Sequence, residues 1–173
     1  MAHQGAHRVE GEAAAEVDPA ERTTLVGHES LLLGAPPSLT LTELAQRAGT
    51  SMEVAQKFWR AMGFADVQPD EVRFTDQDVA ALQDTVALLD ETSDSSLASA
   101  SVLELLRAQS YTMDRLVLWE LETFVTDLSE RLGLDDTAAR LVALDRIDGL
   151  VELLSRQLTY VWRRHMASIL GRT

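Results

Sequence analysis

The chain has 173 residues, a formal net charge of −13 and no cysteine. Its length suffices for one domain or two small ones, and the lack of cysteine excludes disulfides and thiol chemistry. The acidic balance argues against a free-standing nucleic-acid binder, because contacts to phosphate supply most of such binding. With 46% hydrophobic but only 5% aromatic residues, the composition favours helices packed on helices.

The first 22 residues are predicted to be a disordered leader, because they are polar and carry too few apolar side chains to pack. His3 and His7 lack carboxylate or cysteine ligands at fixed spacing, so no metal site is predicted. No apolar run reaches the ~20 residues needed to cross a bilayer, and the N-terminus lacks the core of a signal peptide. The expected location is the cytoplasm, with at most a peripheral contact to a membrane.

Residues 23–91 are predicted to form a subdomain of short helices. A first helix is expected at Thr23 to Leu33, ended by a Gly-Ala-Pro-Pro sequence. Three further helix starts are marked by a threonine with an acid three residues later, since the hydroxyl and the carboxylate can each satisfy a backbone N–H at the helix end. These pairs are Thr40 with Glu43, Thr50 with Glu53, and Thr75 with Asp78.

The ends of these helices are also marked. Gly49 and Gly63 are expected to close the two helices that follow the first two pairs. An irregular segment from Phe64 to Phe74 should come next, followed by a longer helix to about Glu91. Residues 92–96 are polar and turn-rich, which is typical of a linker.

Residues 97–173 are predicted to form a helical dimerisation subdomain. Ser101 with Glu104 resembles another helix start, and a helix is expected from Tyr111 to Leu132. A broad apolar stripe on that helix, including Val117 and Leu118, predicts burial on more than one side. With the last helix, capped by Asp135 or Asp136, this makes three helices, and antiparallel pairing with a second copy would give a bundle of six.

The last helix, Leu141 to Leu170, organises the chain. Its apolar residues recur at steps of three and four and therefore share one side. At 1.5 Å per residue the helix spans roughly 45 Å, so part of the stripe is expected to need a second chain or a following domain. The stripe consists of Leu141, Leu144, Ile147, Val151, Leu154, Leu158, Val161, His165 and Ile169.

His165 stands near the end of this stripe, directly after Arg163 and Arg164. An ionisable side chain in an apolar row is a place where protonation could change packing. The alternative interpretation is a core or interface histidine that is satisfied by a carboxylate or carbonyl group.

The segment LTLTELAQRAGTSMEVAQKFWRAMGF, followed by VRFTDQDVAALQ, resembles the helix-turn-helix of the MerR class. The second helix of the motif offers only Lys57 and Arg60 as basic groups, whereas a DNA reader surrounds its recognition helix with cations. Scaffold or protein contact is therefore favoured over DNA binding. A MerR-like transcriptional regulator with a helical effector domain is kept as the alternative function.

Residues from Glu29 to Leu170 as a whole resemble the N-terminal regulatory domain of actinobacterial class III adenylate cyclases, a pH-sensitive and autoinhibitory type. The likeness is carried by SLTLTELAQRAGTSMEVAQKFWRAMGFADV, by Tyr111-Thr112 opening a hydrophobic helix, and by Arg164-His165-Met166. It implies an all-α homodimer without catalytic residues whose last helix leads to a cyclase catalytic domain in the same chain. It also places Arg164, His165 and Met166 at a switch between the domains. The chain departs from the family in a shorter region before Glu29 and in ending at Thr173.

The resemblance further implies a hydrophobic channel able to hold a fatty acid, and no other cofactor. The candidate lipid-binding residues are Tyr111, Arg115, Trp119, Tyr160 and Trp162. The carboxylate of the lipid would meet an arginine such as Arg107, Arg115 or Arg164. The alternative for the aromatic residues is plain core. No phosphate-binding loop, zinc motif or nucleophile motif is present.

Overall fold

The computed structural model describes residues 27–90, 92, 94 and 96–172. The described residues form six helices and no strand, which confirms the all-α prediction. Residues 27–32 form α1. The predicted leader and the first part of the predicted Thr23 to Leu33 helix lie outside the described residues, as do positions 91, 93 and 95 around the predicted linker.

Two short helices, α2 (Leu41–Arg47) and α3 (Met52–Ala61), come next, and side chains cap the N-terminus of each. Thr40 accepts a hydrogen bond from the backbone N–H of Glu43 at 3.2 Å, and the Glu43 carboxylate accepts from the backbone N–H of Thr40 at 2.8 Å. This reciprocal pair confirms the first predicted start. The second prediction was one residue early, because Ser51 and not Thr50 caps α3 by accepting from Val54.

The third predicted start is confirmed at α4 (Asp76–Leu89), where the N–H and the hydroxyl of Thr75 both donate to Asp78. α4 ends slightly before the expected Glu91. The segment between α3 and α4 is irregular as predicted, and it is anchored where Phe74 pairs with Leu39 through backbone hydrogen bonds. Gly49 and Gly63 follow α2 and α3 with positive φ, as predicted for helix-ending residues.

The C-terminal half consists of two long helices and not the predicted three. α5 runs without interruption from Ser99 to Leu132 and α6 from Asp136 to Leu170. Ser101 is therefore an interior residue, and the cap position of α5 is Ala98, which has no side-chain acceptor. The Ser101 prediction failed because a Ser-x-x-Glu spacing also occurs inside helices, where nothing requires the hydroxyl to cap. Asp135 caps α6 by accepting from Ala138 at 2.8 Å, as expected.

Two apolar clusters hold the chain together. The larger joins α2, α3, α4 and the segment before α4, and the first turns of α5 pack on α3 and α4. The smaller lies between α5 and α6 near their connection, where Val125 and Leu128 pack against Ala139 and Ala143. The larger cluster is built around these fully buried residues: Leu44, Ala55, Phe74 and Leu82.

The middle of α5 is less covered than its sequence predicts. Val117 and Leu118 are each 57% exposed, which contradicts the expectation that this stripe is buried on more than one side of the helix. The reason is positional: the α2 to α4 unit covers the beginning of α5, and the tight packing with α6 lies near its end. A stretch of apolar surface remains open between the two clusters.

Candidate functional site

An open groove of about 760 Å³ lies where the end of α3 meets the middle of α5. The Ser110 hydroxyl on α5 donates to the carbonyl of Met62 just after α3 and so fixes the two walls together. Arg60 and Arg107 bring positive charge to the groove, and Asp114 brings one carboxylate. Its apolar lining comes from Met62, Phe64, Met113, Val117 and Leu118.

Of the predicted lipid-binding residues, Tyr111 lines this groove, and Arg115, which does not line it, contacts Tyr111. Arg115 donates to the Tyr111 hydroxyl at 3.2 Å, and its guanidinium lies 5.7 Å from the centre of the tyrosine ring. This contact follows from their i, i+4 spacing on α5. Trp119 is 66% exposed further along α5 and does not line the groove.

The two aromatic candidates on α6 also lie away from the groove lining. Tyr160 is 65% exposed and Trp162 is 58% exposed. The described arrangement therefore places neither in the core, and it does not gather the five predicted lipid-binding residues into one channel.

The cations of α3 are both engaged by carboxylates. Lys57 contacts Glu53 at 2.7 Å, and Arg60 donates to both oxygens of Asp66 at 2.5 and 2.8 Å. The hydrogen bond from Arg60 lowers the pKa of Asp66, and the hydrogen bond from Lys57 lowers the pKa of Glu53. This pairing reduces the positive charge that α3 could offer to a phosphate backbone.

The end of α6 carries the predicted switch residues, Arg163, Arg164, His165 and Met166. Every residue from 159 to 172 is exposed. Earlier in the helix, Ile147, Val151, Leu154 and Leu158 are half-buried. The apolar stripe is thus exposed at its first residue, Leu141 (65%), partly covered in its middle and uncovered from residue 159 onward. His165 lies in this last, uncovered part.

A second set of ion pairs fixes the start of α6 on α5. Arg140 donates to both oxygens of Glu122 at 2.9 and 3.2 Å and to Asp136 at 2.9 Å. The hydrogen bonds that Arg140 donates to the carboxylates of Glu122 and Asp136 raise its pKa. The anchored start and the partly covered middle of α6 contrast with its exposed end within the described chain.

Sequence reasoning missed the groove residues contributed by the turn after α3. Met62 and Phe64 flank Gly63, and the sequence pattern assigned them to a helix end and an irregular segment. Phe64 is 52% exposed and its ring lies 4.4 Å from that of Trp59. The available signal was an aromatic residue directly after a helix-ending glycine, which is unusual for a solvent-facing turn.

Among the described helices, none contains an apolar stretch that could cross a membrane. The described residues also contain no group of three or more His, Asp or Glu side chains arranged to hold a metal ion.

The chain is an all-α module of a short-helix unit followed by a two-helix hairpin. No protein-family model matches it. It is similar to proteins named adenylate cyclase, with 32% identity over 158 residues to that of Glutamicibacter nicotianae and 35% over 171 residues to that of Streptomyces coelicolor. A third, from Streptomyces griseus, is 32% identical over 158 residues.

These alignments cover 91%, 97% and 90% of this chain but only 38%, 43% and 38% of the relatives. The chain therefore spans about two fifths of the length of the adenylate cyclases it matches. It is related to one part of such proteins.

Proposed function

We propose that this chain is the regulatory part of an adenylate cyclase and that the end of α6 carries its output to the catalytic part. The observation that carries the proposal is the similarity along nearly the whole chain to about two fifths of three adenylate cyclases. The geometry fits a transmitting element, since α6 is anchored through Arg140 at its start and exposed at its end. A helix held at one end can change its partners at the other with little disturbance of the core.

The proposed mechanism is a two-state rearrangement of α6 that responds to pH through His165. In the described arrangement this side chain is exposed to water. In a second arrangement, with the stripe packed against a partner, a neutral imidazole would be tolerated and a charged one would be penalised. Acidification therefore favours the exposed arrangement.

A bound fatty acid is a further proposed input. The groove between α3 and α5 has an apolar lining, and Arg107 is a cation at its edge that could meet a carboxylate. Arg60 is less suited to that role because Asp66 already occupies its guanidinium. Organic extraction of the purified chain followed by mass spectrometry tests this input, and recovery of no fatty acid after incubation with oleate would contradict it.

The test of the regulatory function begins with the coding frame beyond Thr173. We expect a cyclase catalytic region there, and in that holoenzyme His165→Ala should flatten the dependence of cAMP synthesis on pH. Thr159→Ala, on the same exposed stretch but off the stripe, is the matched control and should keep the dependence. A stop codon after Thr173 would contradict the proposal that α6 leads to a catalytic region in the same chain. An unchanged pH profile in His165→Ala would show that His165 is not the pH-sensing residue.

A further inference from the structure

The last turns of α6 form a surface that differs from the rest of this acidic chain. We define the α6 tip as residues 158–172. It contains Arg163, Arg164, Arg172 and no acidic residue, in a chain of net charge −13. The last acid before it is Glu152, which pairs with Arg156 at 3.6 Å. The local charge of the tip is therefore opposite in sign to that of the molecule.

The tip is also amphipathic, and both of its faces are exposed. Trp162, Met166 and Ile169 follow each other at steps of four and three and share one side of the helix. They are 58%, 41% and 52% exposed. By the same geometry Tyr160 and Arg164 lie on the opposite side, and Arg163 lies on the flank between the two sides. An apolar face with a tryptophan, backed by arginines and no acid, is the pattern of a helix that lies in the interfacial plane of a membrane.

Charge separates this surface from the other exposed apolar surface of the hairpin. Trp119 on α5 is also exposed, at 66%, but Glu120 follows it directly and the nearby Glu122 is paired with Arg140. An anionic surface would repel that part of α5 and attract the tip. The acidic residues elsewhere in the chain weaken this attraction little where they lie further away than about 10 Å, because charges at that distance are screened at ~0.1 M salt.

We infer that the α6 tip binds the surface of a membrane that contains anionic lipids, with Trp162 and Ile169 inserted at the level of the headgroups and Arg163 and Arg164 contacting phosphate. The tip does not span the bilayer, and the shape of its apolar face limits it to lying on the surface. This inference goes beyond the proposed regulation of a cyclase and does not depend on it. A reversible contact at the end of α6 would place the module beside the membrane.

The experiment is sedimentation of the full 173-residue chain with vesicles of phosphatidylcholine alone or with about 30% phosphatidylglycerol. We expect binding to the anionic vesicles only, and weaker binding as salt rises to ~0.15 M. The double variant Arg163→Gln/Arg164→Gln should reduce the partition coefficient roughly thirtyfold, since each basic residue near an anionic surface contributes about one factor of five. Arg131→Gln/Arg146→Gln removes the same charge outside the tip and should bind as the unmodified chain does.

Fluorescence distinguishes the apolar contact from simple charge attraction. In a Trp119→Phe background the remaining exposed tryptophan is Trp162, because Trp59 packs against Phe64 and Phe74. Its emission should shift to the blue on adding anionic vesicles. Trp162→Ala should weaken binding roughly tenfold, whereas Trp119→Ala should not.

Three results would overturn the inference: no binding to anionic vesicles, equal binding to both vesicle types, or binding that survives the Arg163→Gln/Arg164→Gln change. The last would point to acyl chains entering the groove beside Arg107. A blue shift that depends on protein concentration without vesicles would instead show that a second copy covers the tip. Failure here leaves the regulatory proposal standing, because no cyclase activity enters the measurement.

Discussion

Phe74 is the residue on which the larger cluster depends. It is fully buried, its ring packs edge-on against Trp59 with centres 4.9 Å apart, and its backbone pairs with Leu39. It therefore joins the segment before α2, helix α3 and the start of α4. The position combines side-chain packing with a long-range backbone contact, so it should be sensitive to truncation.

We expect Phe74→Ala to lower the free energy of unfolding by about 3–5 kcal/mol, because a large buried side chain is lost and a cavity remains. Val72→Ala, two residues earlier and 55% exposed, should change it by less than about 0.5 kcal/mol. Urea unfolding followed by circular dichroism measures both. Similar losses in the two variants would show that this segment does not pack as described.

The Arg60–Asp66 pair makes a prediction about pH. The pKa of Asp66 is lowered below its ordinary 3.8 by the hydrogen bond from Arg60. A carboxyl group whose pKa is depressed on folding stabilises the protein above its unfolded-state pKa, and this contribution is lost as the pH falls through the folded-state pKa. Asp66→Asn should therefore reduce stability at neutral pH and have little further effect near pH 2.

The measurement is the free energy of unfolding from pH 7 down to about 2, compared between the unmodified chain and Asp66→Asn. The two curves should converge at the acidic end. Because the pair is exposed, the difference at neutral pH will be small. Asp70→Asn removes an equal charge from the same segment and serves as the control. Curves that stay parallel down to the lowest pH would contradict the pairing.

At the scale of elements, the connection between α5 and α6 decides the geometry of the hairpin. Gly133 ends α5 with φ +65°, its N–H donating to the carbonyl of Ser129, and Asp135 begins α6. The Ser129 hydroxyl donates to the carbonyl of Leu134 at 2.7 Å and closes the same turn. The antiparallel return of α6 rests on this short connection.

Two glycines of the hairpin should respond in opposite directions to the same change. Gly133→Ala should cost about 1–2 kcal/mol, because a Cβ is strained in the left-handed conformation. Gly149→Ala, inside α6 where an added Cβ meets nothing within 4 Å, should stabilise by about 0.5–1 kcal/mol. Thermal unfolding of both variants tests this. A stabilising Gly133→Ala would mean that α5 continues past its described end.

At the scale of the whole molecule, the chain leaves much apolar surface exposed between and beyond its two clusters. Val117, Leu118 and Trp119 on α5 are all more than half exposed. Contiguous apolar surface of this kind in a folded protein marks an interaction site. The proposed homodimer would cover this surface of α5.

We expect the purified chain to have twice its 19.1 kDa mass by sedimentation equilibrium. Leu118→Glu should shift it to the monomer without loss of helix content, because the residue is 57% exposed and supports no core. Gln109→Glu, an exposed position earlier on α5, is the control and should remain dimeric. A monomeric unmodified chain would contradict the dimer proposal.

Most helix boundaries could be predicted because the signals that set them are local. Thr40 with Glu43 and Thr75 with Asp78 satisfy backbone groups three residues away. Each of these helix starts can therefore be predicted from four consecutive residues. The contact between Tyr111 and Arg115 is also local, because the two residues are four positions apart on one helix. Ser101 with Glu104 shows the limit of such signals, since the same spacing is compatible with a helix interior.

The sequence by itself determined the helical class, the caps of α2, α4 and α6, the break after α3 and the apolar stripe of α6. Only the tertiary structure decided which faces are covered, because coverage depends on what distant segments bring to a surface. In the tertiary structure α5 is one continuous helix whose middle is exposed, and Arg60 is paired with Asp66. The groove forms at Met62 and Phe64, and the end of α6 has no covering neighbour among the described residues. A stripe predicts that a face is apolar, but packing alone decides whether a neighbour lies against it.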